Sequence, residues 1–302
     1  MNQANEIASD DVSNRLLSTI VSGGPSWLEG IACPLTRARW RRLESASALN
    51  CDNYGTARHL ARNPAAARYE LCQIWPPKAF VTSRSIIVEI LAPEIMARYT
   101  KIGLEFYHYD SIDSEILTQR MEDALRRIAL VPGIQAAVAE LLAVVHILRP
   151  PSPEYDISYS DPDVPFSIFV SFNIDDLEHG DLRLAEAIVH ECMHLLLTLL
   201  EEVVPLVNGE SERHLSPWQG ILRPSRGLLH GLYVFRVIYD FLTSLLNRKY
   251  CATRERKYLI QRKTTIQKEI AEVAGLEHSQ DLTALGRQMV VYLLNLSNLE
   301  CS

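Results

Sequence analysis

The stretch LRLAEAIVHECMHLLLTLLEEVV, residues 182–204, determines most of the fold that this sequence predicts. Its residues are apolar almost all the way round a helix, which is typical of a buried helix rather than a surface one. His190 and His194 stand four positions apart within it, so both imidazoles lie on one helix face, about one turn from each other. Buried polar groups need partners, and a single metal ion would satisfy both histidines. We therefore expect a buried, metal-binding HExxH helix.

The composition of the chain excludes several classes of protein. Its 302 residues are 47% hydrophobic, which is enough for a sizeable core. The net charge is −7 and there is no basic stripe with interleaved aromatic residues, so we expect no nucleic-acid partner. The N-terminus is polar and acidic, and no uninterrupted apolar stretch reaches about 18 residues, so we expect no membrane association. Six scattered cysteines favour free thiols, and together these features predict a cytoplasmic protein.

Hydrophobic periodicity predicts a mainly α fold with a small β element, a helical bundle around the HExxH helix. Residues 34–74 and 111–147 have helical patterns, whereas Phe166 to Phe172 alternate like a strand. A loop over residues 206–224 leads into a second apolar helix, from about Arg226 to Leu246, and two further helices are expected in residues 251–302.

The expected domain organisation has two parts. Residues 1–150 are predicted to form a helical N-terminal region that shapes substrate access. No sequence motif in this region indicates a particular ligand. Residues 151–302 carry the HExxH motif and are predicted to form the metal-binding catalytic region. We expect the two regions to make one integrated domain.

A third metal ligand is predicted on the second apolar helix. His230 lies about one turn into that helix, and two buried helices joined by a loop of roughly twenty residues can pack antiparallel. Glu201 lies on the HExxH helix itself, about 10 Å beyond His194, which is too far to share its ion. Asp240 and His214 stay open as alternatives to His230.

Two arginines precede His230 at the start of the same helix. Arg223 and Arg226 would suit a small dicarboxylate, because guanidinium groups bind carboxylates through paired hydrogen bonds. The N-terminus of the helix adds a favourable potential for an anion. The alternative interpretation is a pair of ordinary surface arginines.

Three blocks of the sequence, taken in order, resemble a known family. They are Ser158–Pro162 with Val164–Ser171, then Leu184–Leu195, then Pro217–Phe235. The chain is similar over roughly residues 155–241 to the HExxH-motif proteins of peptide modification, which are described as 2-oxoglutarate-dependent peptide β-hydroxylases. Three blocks in this order are much more specific than an HExxH motif alone.

The resemblance implies a mononuclear Fe(II) centre, 2-oxoglutarate and dioxygen as cosubstrates, and hydroxylation at an unactivated β-carbon. The substrate is then an amino-acid residue of a peptide, or a free or carrier-bound amino acid. By this resemblance the metal ligands are His190, His194 and His230. Arg223 matches the arginine of the family's Arg-Pro pair, so it is preferred over Arg226 for the oxoglutarate carboxylate.

Glu191 separates the oxygenase interpretation from its alternatives. Adjacent helix positions point about 100° apart, so Glu191 is expected beside the centre as a catalytic residue that orients a ligand or a water, without binding the metal beside His190. In a zinc-dependent metallopeptidase, Glu191 would instead be the general base on a zinc-bound water. A third alternative is a helical binding module whose histidines are structural. The HExxH motif does not itself choose the metal, but the Arg-Pro and strand blocks favour the oxygenase.

Overall fold

The structure of the chain is a computed structural model, which describes residues 3–48, 67–74, 85–91, 93–108, 111–153, 155–161, 166–173, 176, 178–248 and 253–295. These residues are mainly helical with a small mixed sheet, which confirms the predicted class. The helices are α1 Gln3–Ser22, α2 Ala32–Ala48, α3 Pro93–Thr100, α4 Ser114–Ala129, α5 Pro132–Leu141, α6 Gly180–Glu201, α7 Ser225–Leu246, α8 Thr253–Glu272 and α9 Ala284–Leu294. The strands are β1 Ala67–Ile74, β2 Ile86–Leu91, β3 Val144–Leu148, β4 Ser158–Tyr159, β5 Ser167–Ser171, β6 Arg213–Leu215 and β7 Leu222–Pro224.

The chain forms two compact units. One unit is Thr36–Leu195, and the other combines Met1–Leu35 with Leu196–Ser302. We call them the sheet unit and the helical unit. The division falls after residues 35 and 195 and not near residue 150, and α6 contributes residues to both units.

The sheet unit is built on five strands in the order β1-β2-β3-β5-β4. Strands β2, β3 and β5 are parallel, and the outer strands β1 and β4 pair antiparallel with their neighbours. Every residue of β3 and β5 is buried, as expected for central parallel strands covered on both faces. Just before β5, Phe166 adopts a left-handed backbone and stacks on Trp40, with ring centroids 4.2 Å apart.

Two segments that the sequence predicted as helical are strands. Residues 67–74 form β1, and Val144–Leu148 at the end of the predicted 111–147 helix form β3. For β3 the reason is that a fully buried strand reads as a nearly continuous apolar run, so periodicity alone does not distinguish it from a buried helix. The predicted strand at residues 166–172 is confirmed as β5, whereas Pro162–Pro165 of the same block lie outside the described residues.

The helical unit is organised around α7, which is buried along most of its length. Within this helix Arg236 forms an ion pair with Asp240, with Nε and Oδ2 3.0 Å apart. The same guanidinium donates to the carbonyls of Leu293 and Asn295, so it also caps the end of α9. Among the described residues α7 is the one helix long and apolar enough to cross a membrane, but 78% of its apolar window is buried inside the protein. That burial is typical of the core helix of a soluble protein.

The two cysteines whose side chains are described, Cys33 and Cys192, are free thiols, as the sequence predicted. The same prediction for the other four falls outside the described side chains, namely Cys51, Cys72, Cys251 and Cys301.

Candidate metal centre

The two motif histidines form a narrow accessible stripe on a buried helix. From Leu184 to Leu200 every residue of α6 is buried except His190, His194 and Thr198, which follow each other at intervals of four. The imidazole centroids of His190 and His194 are 4.9 Å apart. Because side chains four positions apart share one helix face, the stripe places both rings side by side on that face.

Glu191 lies away from that stripe, against strand β4. Its carboxylate is 2% exposed and accepts hydrogen bonds from the hydroxyls of Ser158 and Ser160. Burial raises the pKa of Glu191 to about 7, and the two hydroxyls oppose that increase. The Glu191 Oε1 atom lies 3.8 Å from His190 Nε2, which is too long for a hydrogen bond.

The serine block that holds Glu191 is itself fixed by buried and part-buried hydrogen bonds. Asp161, which directly follows Ser160, accepts hydrogen bonds from Tyr99 Oη at 3.1 Å and from Arg98 Nη2 at 3.2 Å. On the other side of the block, the Ser171 hydroxyl accepts the backbone N–H of Ile157 at 3.0 Å. The block Ser158–Asp161 therefore has a structural explanation, because it joins α3, β4 and β5 to the HExxH helix.

His230 belongs to the helical unit, where its partner is Glu201. The distance between His230 Nε2 and Glu201 Oε2 is 2.9 Å, and Arg226 Nη1 lies 3.3 Å from the same oxygen. The Glu201 side chain is 7% exposed, whereas that of Arg226 is 48% exposed. Spacing along α6 gives the distance from Glu201 to His194 but says nothing about residues of α7. The sequence-based prediction therefore missed the contact between Glu201 and His230.

Arg223 lies in β7 of the short β6–β7 hairpin, two positions before the first residue of α7. Its guanidinium lies across Gly227, where an added Cβ would be 2.9 Å from Arg223 Nε, so the glycine permits this close approach. No described residue forms a hydrogen bond or an ion pair with the Arg223 side chain. The first turn of α7 also has no side-chain cap, since its N-cap is Pro224.

The glycine after His230 has a packing role. An added Cβ on Gly231 would be 2.4 Å from the Trp218 ring, which stacks on Phe235 with centroids 4.8 Å apart. Trp218 therefore packs the loop before α7 against the helix that contains His230. This contact gives Trp218 and Gly231 of the third sequence block a shared packing role.

The two alternative third ligands are engaged elsewhere in the helical unit. Asp240 forms the buried ion pair with Arg236, and burial raises its pKa. His214 Nε2 lies 3.0 Å from the Ser225 hydroxyl. Both groups thus have structural explanations of their own.

The chemistry of the motif pair fits a transition-metal ion, since two imidazoles on adjacent helix turns are ordinary ligands for Fe, Zn or Cu. Within the described residues, no group of three or more His, Cys, Asp or Glu side chains is arranged for one ion. His190 and His194 belong to the sheet unit and His230 to the helical unit, so the three-histidine centre stays a prediction.

Comparisons with known proteins do not assign the chain to a family. No protein-family model matches the chain, and no curated protein matches it. The resemblance described above therefore depends on its three sequence blocks.

Proposed function

We propose that this chain is an Fe(II)- and 2-oxoglutarate-dependent oxygenase of the cytoplasm that hydroxylates the β-carbon of an amino-acid residue in a peptide. The observation that carries the proposal is the accessible stripe on α6, because two of its three residues are imidazoles with ring centroids 4.9 Å apart on an otherwise buried part of the helix. Burying that helix while opening only this face is difficult to explain by packing alone.

His190 and His194 would hold the iron on one side. His230 is proposed as the third ligand on the basis of the sequence alone. When bound, iron supplies with oxoglutarate and dioxygen the two-electron oxidation that places one oxygen atom into a C–H bond and yields succinate and carbon dioxide. The chain's own residues orient the ligands, bind the cosubstrate carboxylate and limit the access of water.

The contacts of Glu191 favour an oxygenase over a zinc-dependent metallopeptidase. A general base must reach the metal-bound water whose proton it removes. Glu191 already accepts hydrogen bonds from Ser158 and Ser160, and almost none of its surface is accessible. We therefore assign it the role of fixing the motif helix to β4, so that the two histidines keep their orientation.

The surroundings of Arg223 support the binding of oxoglutarate. A half-buried guanidinium that no described residue pairs, next to an uncapped helix N-terminus, suits one carboxylate of a small dicarboxylate. Arg226 is a weaker candidate for this role, because it is more exposed and donates to Glu201.

The test is a cosubstrate assay on the whole chain. The protein is purified without oxygen, supplied with Fe(II) and oxoglutarate, exposed to dioxygen, and assayed for succinate in the presence of candidate peptides. We expect succinate from the wild type and from a His278→Ala control, which changes a histidine with an 82% exposed side chain, but not from His190→Ala. Succinate that does not exceed the His190→Ala level would refute the proposal. Peptide cleavage with Zn²⁺ alone would establish the metallopeptidase instead.

A further inference from the structure

We infer that Glu201 positions His230 and selects Nδ1 as the ring nitrogen through which His230 binds a metal ion. The inference rests on the proposed function, since it deepens the role given there to His230. It concerns a residue outside the HExxH motif and outside the sequence blocks that carry the resemblance.

The geometry of the contact fixes the proton on the ring. The 2.9 Å separation between His230 Nε2 and Glu201 Oε2 is that of a hydrogen bond. When the Glu201 carboxylate is ionised it can only accept, and the ring nitrogen that donates to it in this geometry is Nε2. A neutral imidazole protonated on Nε2 presents its lone pair on Nδ1.

The cost of this arrangement indicates a role for Glu201 other than stability. Oε2 accepts from both His230 and Arg226, whereas Oε1 is buried and accepts no hydrogen bond from the described residues. A buried carboxylate with one unsatisfied oxygen is destabilising. Groups retained in such a state are typical of functional sites.

The role itself follows from the chemistry of metal-bound histidine. Such an imidazole usually donates its second N–H to a carboxylate or a carbonyl, which fixes the ring and makes the ligand nitrogen more basic. In the sheet unit, the carboxylate of Glu191 does not serve His190 in this way, because the 3.8 Å between them is too long. Glu201 thus gives His230 an orienting partner that Glu191 does not give to His190.

The first experiment measures the tautomer of His230 in the metal-free full chain. Long-range ¹⁵N–¹H spectra of ¹⁵N-histidine-labelled protein distinguish the two neutral tautomers, and the His230→Ala variant assigns the signals. We expect His230 to be protonated on Nε2 in the wild type and to become a mixture of tautomers in Glu201→Ala. A wild-type ring protonated on Nδ1, or a tautomer that Glu201→Ala leaves unchanged, would overturn the inference.

The second experiment measures binding of Co²⁺ alone, as a stand-in for Fe(II) that dioxygen does not consume. We expect Glu201→Ala to weaken binding about 10- to 100-fold. Glu201→Gln, which keeps an acceptor oxygen, is expected to lose less. His278→Ala is the control, since it removes a histidine whose side chain is 82% exposed, and we expect a change within about twofold.

The outcomes separate the positioning role of Glu201 from the ligand role of His230. If His230→Ala weakens Co²⁺ binding and Glu201→Ala does not, the positioning role is wrong and the third ligand stands. If His230→Ala binds Co²⁺ as the wild type does, the proposed third ligand is wrong, and the role of Glu201 is overturned with it. A thermal melt of each variant checks that it is folded, and Glu201→Gln replaces Glu201→Ala if the alanine variant is not.

Discussion

The motif histidines of α6 and the histidine of α7 differ in how a carboxylate serves them. In the sheet unit, Glu191 is adjacent in sequence to His190 but binds the hydroxyls of Ser158 and Ser160. In the helical unit, His230 receives its carboxylate from Glu201, 29 positions earlier in the chain. A glutamate inside a metal motif therefore need not be the partner of its histidines, since tertiary contacts decide which carboxylate meets which ring.

The most severe test of this contrast removes one ring from the α6 stripe. We expect His190→Ala or His194→Ala to weaken Co²⁺ binding at least about a hundredfold. Each variant removes one proposed ligand, and no neighbour on the buried helix can replace it. Isothermal titration measures the affinity, with His278→Ala as the control because its side chain is 82% exposed. Unchanged affinity in both α6 variants would mean that the stripe does not bind metal.

A third imidazole of the sheet unit, His146 on β3, gives a pH test. It is fully buried against Phe169 and Ser167, and burial lowers its pKa to about 4 from an ordinary value of 6.5. As the pH falls, the His146 side chain therefore binds a proton in the unfolded chain before it does so in the folded chain. Protonation of the unfolded chain lowers the free energy of unfolding by about 3 kcal/mol between about pH 6.5 and 4.

The measurement is urea unfolding at several pH values across that window. We expect His146→Gln, which can still hydrogen-bond to Ser167, to remove most of the decrease in unfolding free energy on acidification. An acid response in His146→Gln equal to that of the wild type would contradict the assignment.

The helical unit offers a test of the cosubstrate site. We expect Arg223→Ala to weaken oxoglutarate binding about tenfold or more while Co²⁺ binding changes little, because hydrogen bonds to charged groups contribute about 1.5–3 kcal/mol. Arg226→Ala is the matched control, since its guanidinium donates to Glu201. Equal loss of metal and oxoglutarate binding in Arg223→Ala would argue against this role.

The smallest expected effect concerns the carboxylate of the sheet unit. Ser158→Ala leaves the buried Glu191 with one hydroxyl donor fewer, which we expect to lower the unfolding free energy by about 1–2 kcal/mol. Ser114→Ala, at an exposed position in the first turn of α4, is the control. The loss should disappear in a Glu191→Ala background, which has no acceptor for the hydroxyl, and persistence there would show that the hydroxyl does not act on that carboxylate.

The sequence-based prediction of secondary structure was most accurate for the two long apolar helices that contain the candidate site residues. The observed bounds of α6 and α7 agree closely with the apolar periodicity, and the alternation of residues 166–172 predicted β5. Strand β3 was missed because Val144–Leu148 is buried on both faces and has no period-two signal. The two units were not predicted either, since one of them joins distant parts of the chain, as in the hydrogen bond from Tyr292 Oη to the Gly24 carbonyl.

The candidate site was predicted as a set of residues but not as a set of contacts. The four-residue spacing of His190 and His194 is enough to place both rings on one helix face, where the structure has them. The partners of Glu191 and His230 come from other elements, β4 and the end of α6, and helix geometry along one segment contains no information about them. A carboxylate near the end of one apolar helix and a histidine near the start of the next would have been the signal for Glu201.

The number of imidazoles bound to the metal is the decisive quantity for the proposed centre. X-ray absorption spectra of the Co²⁺-loaded full chain report this number through the outer-shell scattering of the rings. We predict three imidazoles in the wild type and two in His230→Ala. Two or fewer imidazoles in the wild type, with the same spectrum in His230→Ala, would contradict the three-histidine centre.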